Sequence, residues 1–462
     1  MNFASLLFAA FLPVVLAIDL GVRRHAPLRT LWRLLASYAF YAAWDWRFLG
    51  LILTSTLVDY VAARRIEAAR ASQRGARRWL LLSVGVNLGI LVACKYAGFF
   101  AEGFADLAGA VGWQVGTPTL QVLLPVGVSF YTFQTIGYTV DVYRGDVAAE
   151  RSLPTFALFV AWFPQLVAGP IERAGRLLPQ IHTPRAVTWQ AVHRAVCLIA
   201  VGLFKKVVLA DNIAYVVNRV FEAGDPARGD VLIGVYAFAI QIYCDFSGYT
   251  DIARGTSKLF GVELMQNFDR PYLASSPRAF WQRWHISLST WFRDYVYIPL
   301  GGGRTHAVRN VLVVFALAGL WHGAAWTFLA WGLFHGLWLL AWRAAGGDTA
   351  HGRDGWRTPL GILITFHGVC FGWLLFRAAS LTDAWRLLTS NGASVLGDVE
   401  WRIVLGCAGM CVLAAVLRTR STRRDWIFGL PFPVRVGAYL VLWFGIVLYG
   451  VVRASPFVYF QF

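Results

Sequence analysis

The stretch GLWHGAAWTFLAWG, residues 319–332, decides the class of the fold. It places one histidine, His322, among tryptophans and small residues, inside a run apolar enough to lie in a lipid bilayer. An ionisable side chain at that depth is costly and by default indicates function. The stretch therefore predicts a helical membrane protein with an imidazole at a functional position.

The composition of the whole chain agrees with that prediction. Hydrophobic residues make up 58% of the 462 residues, charged residues only 15%, and the mean hydropathy is +0.55, whereas soluble domains carry about 25% charged residues. The length fits about a dozen spans of ~20 residues, and no polar segment is long enough for a separate soluble domain. We therefore expect one integral-membrane domain, residues 1–462, with N-terminal helices (1–120), a core (121–345) and C-terminal helices with a tail (346–462).

The positive charge indicates membrane orientation rather than nucleic-acid binding. The formal charge of +17 comes from 38 Arg and 4 Lys, and the arginines gather in short loops between apolar runs, most densely in residues 64–78 and 418–424. Cytoplasmic loops of membrane proteins carry such an excess. We expect these loops on the cytoplasmic side of the membrane, no nucleic-acid partner, and lipid as the surrounding partner.

Thirteen apolar runs are candidate spans. They cover residues 1–21, 30–43, 48–63, 80–100, 122–143, 153–170, 192–209, 231–246, 311–328, 330–342, 360–376, 403–417 and 434–452. If all the arginine-rich loops are cytoplasmic, one run between residues 152 and 342 does not cross completely. The candidate is FPQLVAGPIERAGRLLPQ, residues 163–180, whose prolines and glycine break a helix. Twelve crossings with both termini outside the cytoplasm result.

The most polar long connection, residues 247–300, is rich in aromatic side chains. Its part RAFWQRWHISLSTWFRDYVYIPLGG, residues 278–302, holds too much Trp, Phe and Tyr for a simply solvated loop. Amphipathic and re-entrant helices that line a cavity fit this composition better.

Three ordered motifs carry a family resemblance. QIYCDFSGYTDIARGTSKLFG (241–261), NFDRPYLASSPRAFWQRWHISLSTWFRDYVYIPLGG (267–302) and GLWHGAAWTFLAWGLFHG (319–336) resemble the membrane-bound O-acyltransferases. The bacterial branch that serves alginate O-acetylation and teichoic acid D-alanylation is the most similar. The resemblance implies a ring of about 11–13 transmembrane helices with re-entrant helices and a central tunnel.

The resemblance also implies the site. The catalytic tunnel histidine of the family falls on His322, and the second, supporting histidine falls on His285. Further tunnel or supporting positions are Trp284, Trp291, Asn310 and Asp245. Asn310 lies about 18 Å before His322 along a helix, so we expect it to cap a helix or hold a loop. Asp245 either bonds the re-entrant region or marks the membrane edge.

The implied chemistry is acyl transfer. An imidazole shielded from water is expected to be neutral, the form that takes a proton from an acceptor hydroxyl; His322 acts either as general base or as acyl carrier. Acetyl-CoA is the expected donor, with no permanently bound cofactor and no metal. The candidate contacts for its phosphates are basic: Arg254, Lys258, Arg270 and Arg304.

Partners follow from the same resemblance. The acetyl group is expected to pass outward to a separate extracytoplasmic esterase-type acetyltransferase, which modifies an exported polysaccharide such as alginate. The ending FVYFQF offers Phe457, Tyr459, Phe460 and Phe462 either for docking that partner or as an aromatic belt.

Other interpretations stay open from the sequence. They are D-alanyl or other acyl transfer to a cell-wall polymer, and a non-enzymatic transporter or flippase. Lys205 and Lys206 are interpreted as lysines that reach lipid headgroups. His335, thirteen residues after His322, is expected on a different face of one continuous helix, as a packing residue.

Overall fold

The fold is helical throughout the part of the chain that is described. The computed structural model describes residues 1–70, 72–113, 125, 127–167, 169–347, 357–419 and 426–451. In these residues every named element is a helix, and the β-structure is limited to one isolated bridge between Pro226 and Ala393. The all-α prediction is confirmed. Two compact units divide the chain: residues 1–191 with 256–265, and residues 192–255 with 266–462.

The first unit is built from helices with polar N-caps and buried polar links. Ser5, Ser72 and Ser152 each accept a backbone N–H in the first turn of a helix. The helices are α1 (Leu6–Gly21), α2 (Ala26–Ala42), α3 (Leu49–Ala68), α4 (Gln73–Lys95), α5 (Ala97–Ala110), α6 (Val128–Arg144), α7 (Leu153–Ala161), α8 (Phe163–Leu166) and α9 (Ala174–His182).

The second unit holds the longest helix and both π-helical segments. Its elements are α10 (Trp189–Leu203), the π segment Phe204–Ala210, α11 (Asp211–Phe221), α12 (Arg228–Leu259), the 3-10 turn Pro271–Leu273, α13 (Pro277–Trp281), α14 (Ile286–Phe292), the π segment Arg293–Tyr297, α15 (Ala307–His322), α16 (Trp326–Ala344), α17 (Arg357–Arg377), α18 (Leu381–Thr389), α19 (Asp398–Thr419) and α20 (Phe432–Tyr449). The first three residues of α10 and the last four of α12 belong to the first unit.

Membrane-length helices occur in both units. Among the described residues, six helices are long and apolar enough to cross a bilayer, and three shorter helices are also apolar. The six are Trp46–Ala68, Gln73–Lys95, Arg228–Leu259, Thr358–Arg377, Asp398–Leu417 and Phe432–Tyr449. A multi-pass membrane protein is thereby confirmed. The number of crossings, the ring and the tunnel stay predictions.

The run nominated as a broken segment is broken in the structure. Helix α7 stops at Ala161, α8 has 4 residues, and α9 begins only at Ala174. The Gln134 side chain donates a hydrogen bond of 2.7 Å to the Phe159 carbonyl, near the first break. Buried backbone that leaves a helix needs such partners.

The predicted end of the span at residue 246 is wrong, because α12 continues to Leu259. The added half is polar by composition, yet much of it is buried, including Thr250, Thr256 and Ser257. Its glycines permit close helix contact: a Cβ on Gly248 would lie 2.8 Å from the Gly202 carbonyl oxygen. Hydropathy reports the polarity of a segment and not its packing against other helices. The helix end predicted from hydropathy was therefore too early.

Candidate active site

His322 stands at the last position of α15. The chain leaves the helix at Gly323, whose backbone is extended, and a Cβ there would lie 2.1 Å from the Phe328 ring. The His322 side chain is buried, at 4% exposure. Its ring lies 4.9 Å from the Trp321 ring, 4.9 Å from Trp331 and 5.2 Å from Phe376, in edge-to-face arrangements. These aromatic contacts fix the plane of the imidazole.

Helices α15 and α16 cross at two glycines of the opening motif. A Cβ on Gly319 would lie 2.2 Å from the Phe328 carbonyl oxygen, and a Cβ on Gly332 would lie 2.1 Å from the Phe315 carbonyl oxygen. Small residues at such a crossing let two backbones approach closely. The motif thus places Trp331, on α16, directly against His322, at the end of α15.

The assumption of one continuous helix through His322 and His335 is wrong. Residues 323–325 separate α15 from α16, so the two histidines lie on different helices. His335 is fully buried, and its ring lies 5.0 Å from Trp331 and 5.1 Å from Trp281. These contacts agree with the packing role predicted for His335. The Trp331 ring contacts both His335 and His322.

His285 precedes α14 in a strained backbone conformation. Its φ of 42° lies in the left-handed region, which a non-glycine residue rarely adopts. The ring is 4.6 Å from Phe246 and 5.7 Å from Trp321, so His285 and His322 share the neighbour Trp321. Burial lowers the pKa of His285 to about 3, so the imidazole is neutral at physiological pH.

Asn267, which the sequence interpretation passed over, holds the segment around His285. Its backbone carbonyl accepts the Ile286 N–H at 3.0 Å, and its Oδ1 accepts the Ser287 N–H at 3.3 Å. These are the first two residues of α14, whose N–H groups need partners outside the helix. The signal available in the sequence was the asparagine of the NFDRPYL motif. In the structure this residue, Asn267, is fully buried.

The predicted tryptophans lie in aromatic clusters. Trp284 is buried, 5.0 Å from Phe268 and 4.9 Å from Trp373. Trp291 is buried, 5.1 Å from Tyr295 in the second π segment.

Asn310 holds a loop, as predicted. Its Nδ2 donates to the carbonyls of Leu300, Gly302 and Thr305 at 3.0, 2.9 and 2.7 Å. The residue is fully buried and lies in the first turn of α15. Asn310 thereby anchors the glycine-rich loop to the helix that ends in His322.

Asp245 forms an ion pair inside the second unit, and its two predicted roles stay predictions. Asp245 lies in the middle of α12 and pairs with Lys206 at 2.8 Å. Lys206 also pairs with Asp211 at 2.8 Å, and all three side chains are at most 2% exposed. Lys206 therefore does not reach lipid headgroups, and the interpretation of it as a snorkelling lysine is wrong. It sits in the π segment Phe204–Ala210, a type of helical irregularity often found at functional sites.

Three of the four basic donor candidates are paired with carboxylates. Arg254 lies 3.6 Å from Asp251, Lys258 lies 3.8 Å from Glu263, and Arg270 lies 3.5 Å from Asp269. Lys258 belongs to the first unit, whereas the two arginines belong to the second. Arg304 is exposed, in the loop that Asn310 anchors. The aromatic tail with Phe457, Tyr459, Phe460 and Phe462 lies outside the described residues.

Comparison with known proteins decides the family. The membrane-bound O-acyltransferase family model matches residues 147–370. A probable alginate O-acetylase of Azotobacter vinelandii is 42% identical over 84% of this chain and 79% of its own length. The chain belongs to the membrane-bound O-acyltransferase family. A peptidoglycan O-acetyltransferase of Helicobacter pylori is 32% identical, over 94% of this chain and 91% of its own length. A teichoic acid D-alanyltransferase of Streptococcus thermophilus is 30% identical, over 58% of this chain and 71% of its own length.

Family membership confirms the enzyme class. This membrane-bound O-acyltransferase is a multi-pass enzyme, and the family match contains His285, Asn267 and His322. The transporter interpretation is set aside, because the relatives are named as acyl-transferring enzymes over most of the chain.

Proposed function

We propose that this enzyme takes an acetyl group from acetyl-CoA on the cytoplasmic side of a bacterial inner membrane and delivers it outward for O-acetylation of an exported polysaccharide such as alginate. The similarity to a probable alginate O-acetylase over most of both chains supports the acetyl group and the polymer class. The observation that carries the proposal is His322, an aromatic-enclosed imidazole at a helix end.

The position of His322 suits a general base. Its imidazole accepts the proton of the acceptor hydroxyl while that oxygen attacks the thioester carbonyl; the C–S bond breaks, and the leaving thiolate takes the proton back. The carbonyl end of α15 carries partial negative charge, which stabilises the imidazolium formed in between. Burial among rings excludes water that would hydrolyse the thioester. His285, held by Asn267, supports the Trp321 side of the site.

Donor binding is assigned to Arg304. Its guanidinium is exposed on the glycine loop that Asn310 ties to α15, so a phosphate bound there is coupled to the helix of His322. Arginine matches phosphate geometry with paired N–H donors. Arg254, Lys258 and Arg270 are each paired with a carboxylate, so Arg304 is preferred over them for the donor phosphate.

The acceptor is the serine hydroxyl of a separate extracytoplasmic esterase-type acetyltransferase. The aromatic ending of the chain, FVYFQF, is proposed as its docking element. Arginine-rich loops on the cytoplasmic side leave both termini outside, where such a partner is present.

Label transfer tests the proposal. The purified full-length enzyme, with and without the partner, is given acetyl-CoA labelled in the acetyl group. His322→Ala is expected to lower transfer to the partner by about 10²–10⁴-fold, while the melting temperature stays unchanged. The matched control is His367→Ala, because His367 is another histidine on a membrane-length helix, bonded to Tyr236 at 2.9 Å.

Two outcomes would contradict parts of the proposal. Full transfer by His322→Ala would remove this residue from the reaction. Label that stays on His322 in the absence of the partner would replace the general-base role by a covalent carrier role. The same assay with a D-alanyl thioester tests the chemistry named for the streptococcal relative, and faster turnover of that donor would overturn the acetyl assignment.

A further inference from the structure

The second unit contains a large cavity that the acyl-transfer site does not use. Its volume is about 610 Å³, within the range of small-molecule sites in proteins. The walls come from the end of α10 and the adjoining π segment, from α12, and from α19 and α20. They include Val201, Phe204, Ile240, Leu413 and Val441. We call this cavity the apolar chamber.

A smaller basic pocket adjoins the apolar chamber. Three cations, Arg194, Lys205 and Arg254, line it with one carboxylate, Asp251. We call this pocket the cationic mouth. Lys205 and Tyr243 line both compartments, so the two lie side by side in the second unit.

The arrangement of charges in the cationic mouth suits a phosphate. Asp251 bridges two of the cations, 2.7 Å from the Lys205 Nζ and 3.6 Å from an Arg254 guanidinium nitrogen. Lys205 and Arg254 share this one carboxylate, so an added anion is favoured between them. Arg194 adds its guanidinium from α10, over the Phe428 ring at 5.8 Å.

The outer wall of the chamber comes from two membrane-length helices whose apolar surfaces are largely exposed among the described residues. None of the apolar window of α20 is buried inside the protein, and only 17% of that of α19 is buried. Both helices contribute chamber residues, among them Leu413 and Val441. Since Leu413 and Val441 are themselves about half exposed, at 50% and 49%, the chamber lies near the surface that membrane lipid covers.

We propose that the apolar chamber and the cationic mouth together bind one anionic phospholipid, with an acyl chain in the chamber and the phosphate in the mouth. Such a lipid joins an anionic phosphate to a long apolar chain, which matches a basic pocket beside an apolar cavity near the bilayer. The bound lipid ties α10 and α12 to α19 and α20. The inference does not depend on the proposed function, and it assigns Arg254 to the lipid rather than to the acyl donor.

A substitution that fills the apolar chamber tests whether the acyl chain of the lipid lies there. Gly437 lines the chamber, and an added Cβ there meets no atom within 4 Å. Gly437→Phe therefore directs a ring into open space. Gly406→Phe is the matched control, because Gly406 lies on α19, has equally open surroundings and does not line the chamber.

The readout is lipid retention by the purified full-length enzyme in native mass spectrometry. Phosphatidylglycerol and phosphatidylcholine with identical acyl chains are the probes. The wild type and Gly406→Phe are expected to retain one phosphatidylglycerol about tenfold more tightly than phosphatidylcholine, as one charge-assisted contact predicts. Gly437→Phe is expected to lose that tight binding.

The cationic mouth is tested separately. Arg194→Gln is expected to bring phosphatidylglycerol retention down to that of phosphatidylcholine, whereas Arg402→Gln, an exposed arginine on α19 outside both compartments, leaves it unchanged. Equal retention of the two lipids by the wild type, or wild-type retention by Gly437→Phe, overturns the proposal. Displacement of the lipid by acetyl-CoA also overturns it and assigns the mouth to the donor.

Discussion

Two buried ionisable groups, Asp59 in the first unit and His322 in the second, are enclosed in different ways. Asp59 lies on α3 with 0% exposure and accepts hydrogen bonds from the Ser83 hydroxyl at 2.6 Å and the Asn87 amide at 2.9 Å. Both partners lie on α4. A carboxylate whose oxygens accept such bonds holds helices together.

His322 lies among aromatic rings. Trp321, Trp331 and Phe376 surround the imidazole at 4.9–5.2 Å. These ring contacts restrict the orientation of the imidazole, whereas the hydrogen bonds of Asp59 join two helices. Burial alone does not separate a structural group from a chemical one. We expect changes at Asp59 to alter stability and changes at His322 to alter turnover.

The largest stability effect is expected from Asp59→Ala. The substitution removes from a buried cluster the carboxylate that accepts hydrogen bonds from Ser83 and Asn87, so the free energy of unfolding should fall by about 3 kcal/mol. Thermal unfolding in detergent measures this loss, and the folded fraction should keep the wild-type kcat.

Asp383→Ala provides the control for that experiment. Asp383 forms an ion pair with Arg386, one helical turn away, at 2.5 Å near the surface, and such pairs contribute about 1 kcal/mol or less. Lost turnover with unchanged stability in Asp59→Ala would place this carboxylate in the chemistry and break the comparison.

A smaller loss of stability is expected from a substitution at the crossing of α15 and α16. Gly332→Ala puts a Cβ 2.1 Å from the Phe315 carbonyl oxygen, so the helices must move apart. Overpacking of this kind costs about 2 kcal/mol. The movement also shifts Trp331, which neighbours Gly332 and contacts His322, so kcat should fall with stability.

Gly406→Ala is the control for Gly332→Ala, because its expected effect on stability has the opposite sign. Gly406 lies in α19 with no atom within 4 Å of an added Cβ, and alanine stabilises an open helix position by roughly 0.5–1 kcal/mol. If both variants shift the melting temperature in the same direction, the close crossing does not determine the effect.

The class of the fold was predictable from the sequence because it depends on a local pattern: long apolar runs indicate membrane helices. WHG and the RWHISLSTWF run point to His322 and His285, whose roles stay predictions. The continuation of α12 past residue 246 was missed, since its polar residues face other helices rather than water. A hydropathy pattern does not report whether a polar side chain has a buried partner.

Contacts between distant residues were beyond the sequence for the same reason. Lys206 pairs with Asp245, 39 positions away, and nothing in either motif signals the partner. The break after His322 was hidden because Gly323, Ala324 and Ala325 are as apolar as the helices around them. Such features depend on packing between distant helices, and no local sequence pattern indicates that packing.

A smaller effect than that at the helix crossing, on turnover rather than on stability, is expected at Asn267. It is hydrogen-bonded like Asp59, yet it acts on the segment that carries His285. Asn267→Ala removes the Oδ1 acceptor of the Ser287 N–H and should lower kcat about tenfold, equivalent to ~1.4 kcal/mol, with KM for the donor unchanged.

A second variant, Asn267→Asp, tests whether Asn267 acts by positioning the start of α14 or only by stabilising the protein. Asn267→Asp keeps an oxygen at the same place and should restore most of kcat, because the N–H of Ser287 still finds its acceptor. Asn212→Ala, which removes an amide bonded to the Val208 carbonyl at 2.8 Å, serves as the matched control and should leave kcat unchanged. If Asn267→Asp fails to recover turnover while its melting temperature matches the wild type, Asn267 does not act through the start of α14, and the strained backbone of His285 must be held by other contacts.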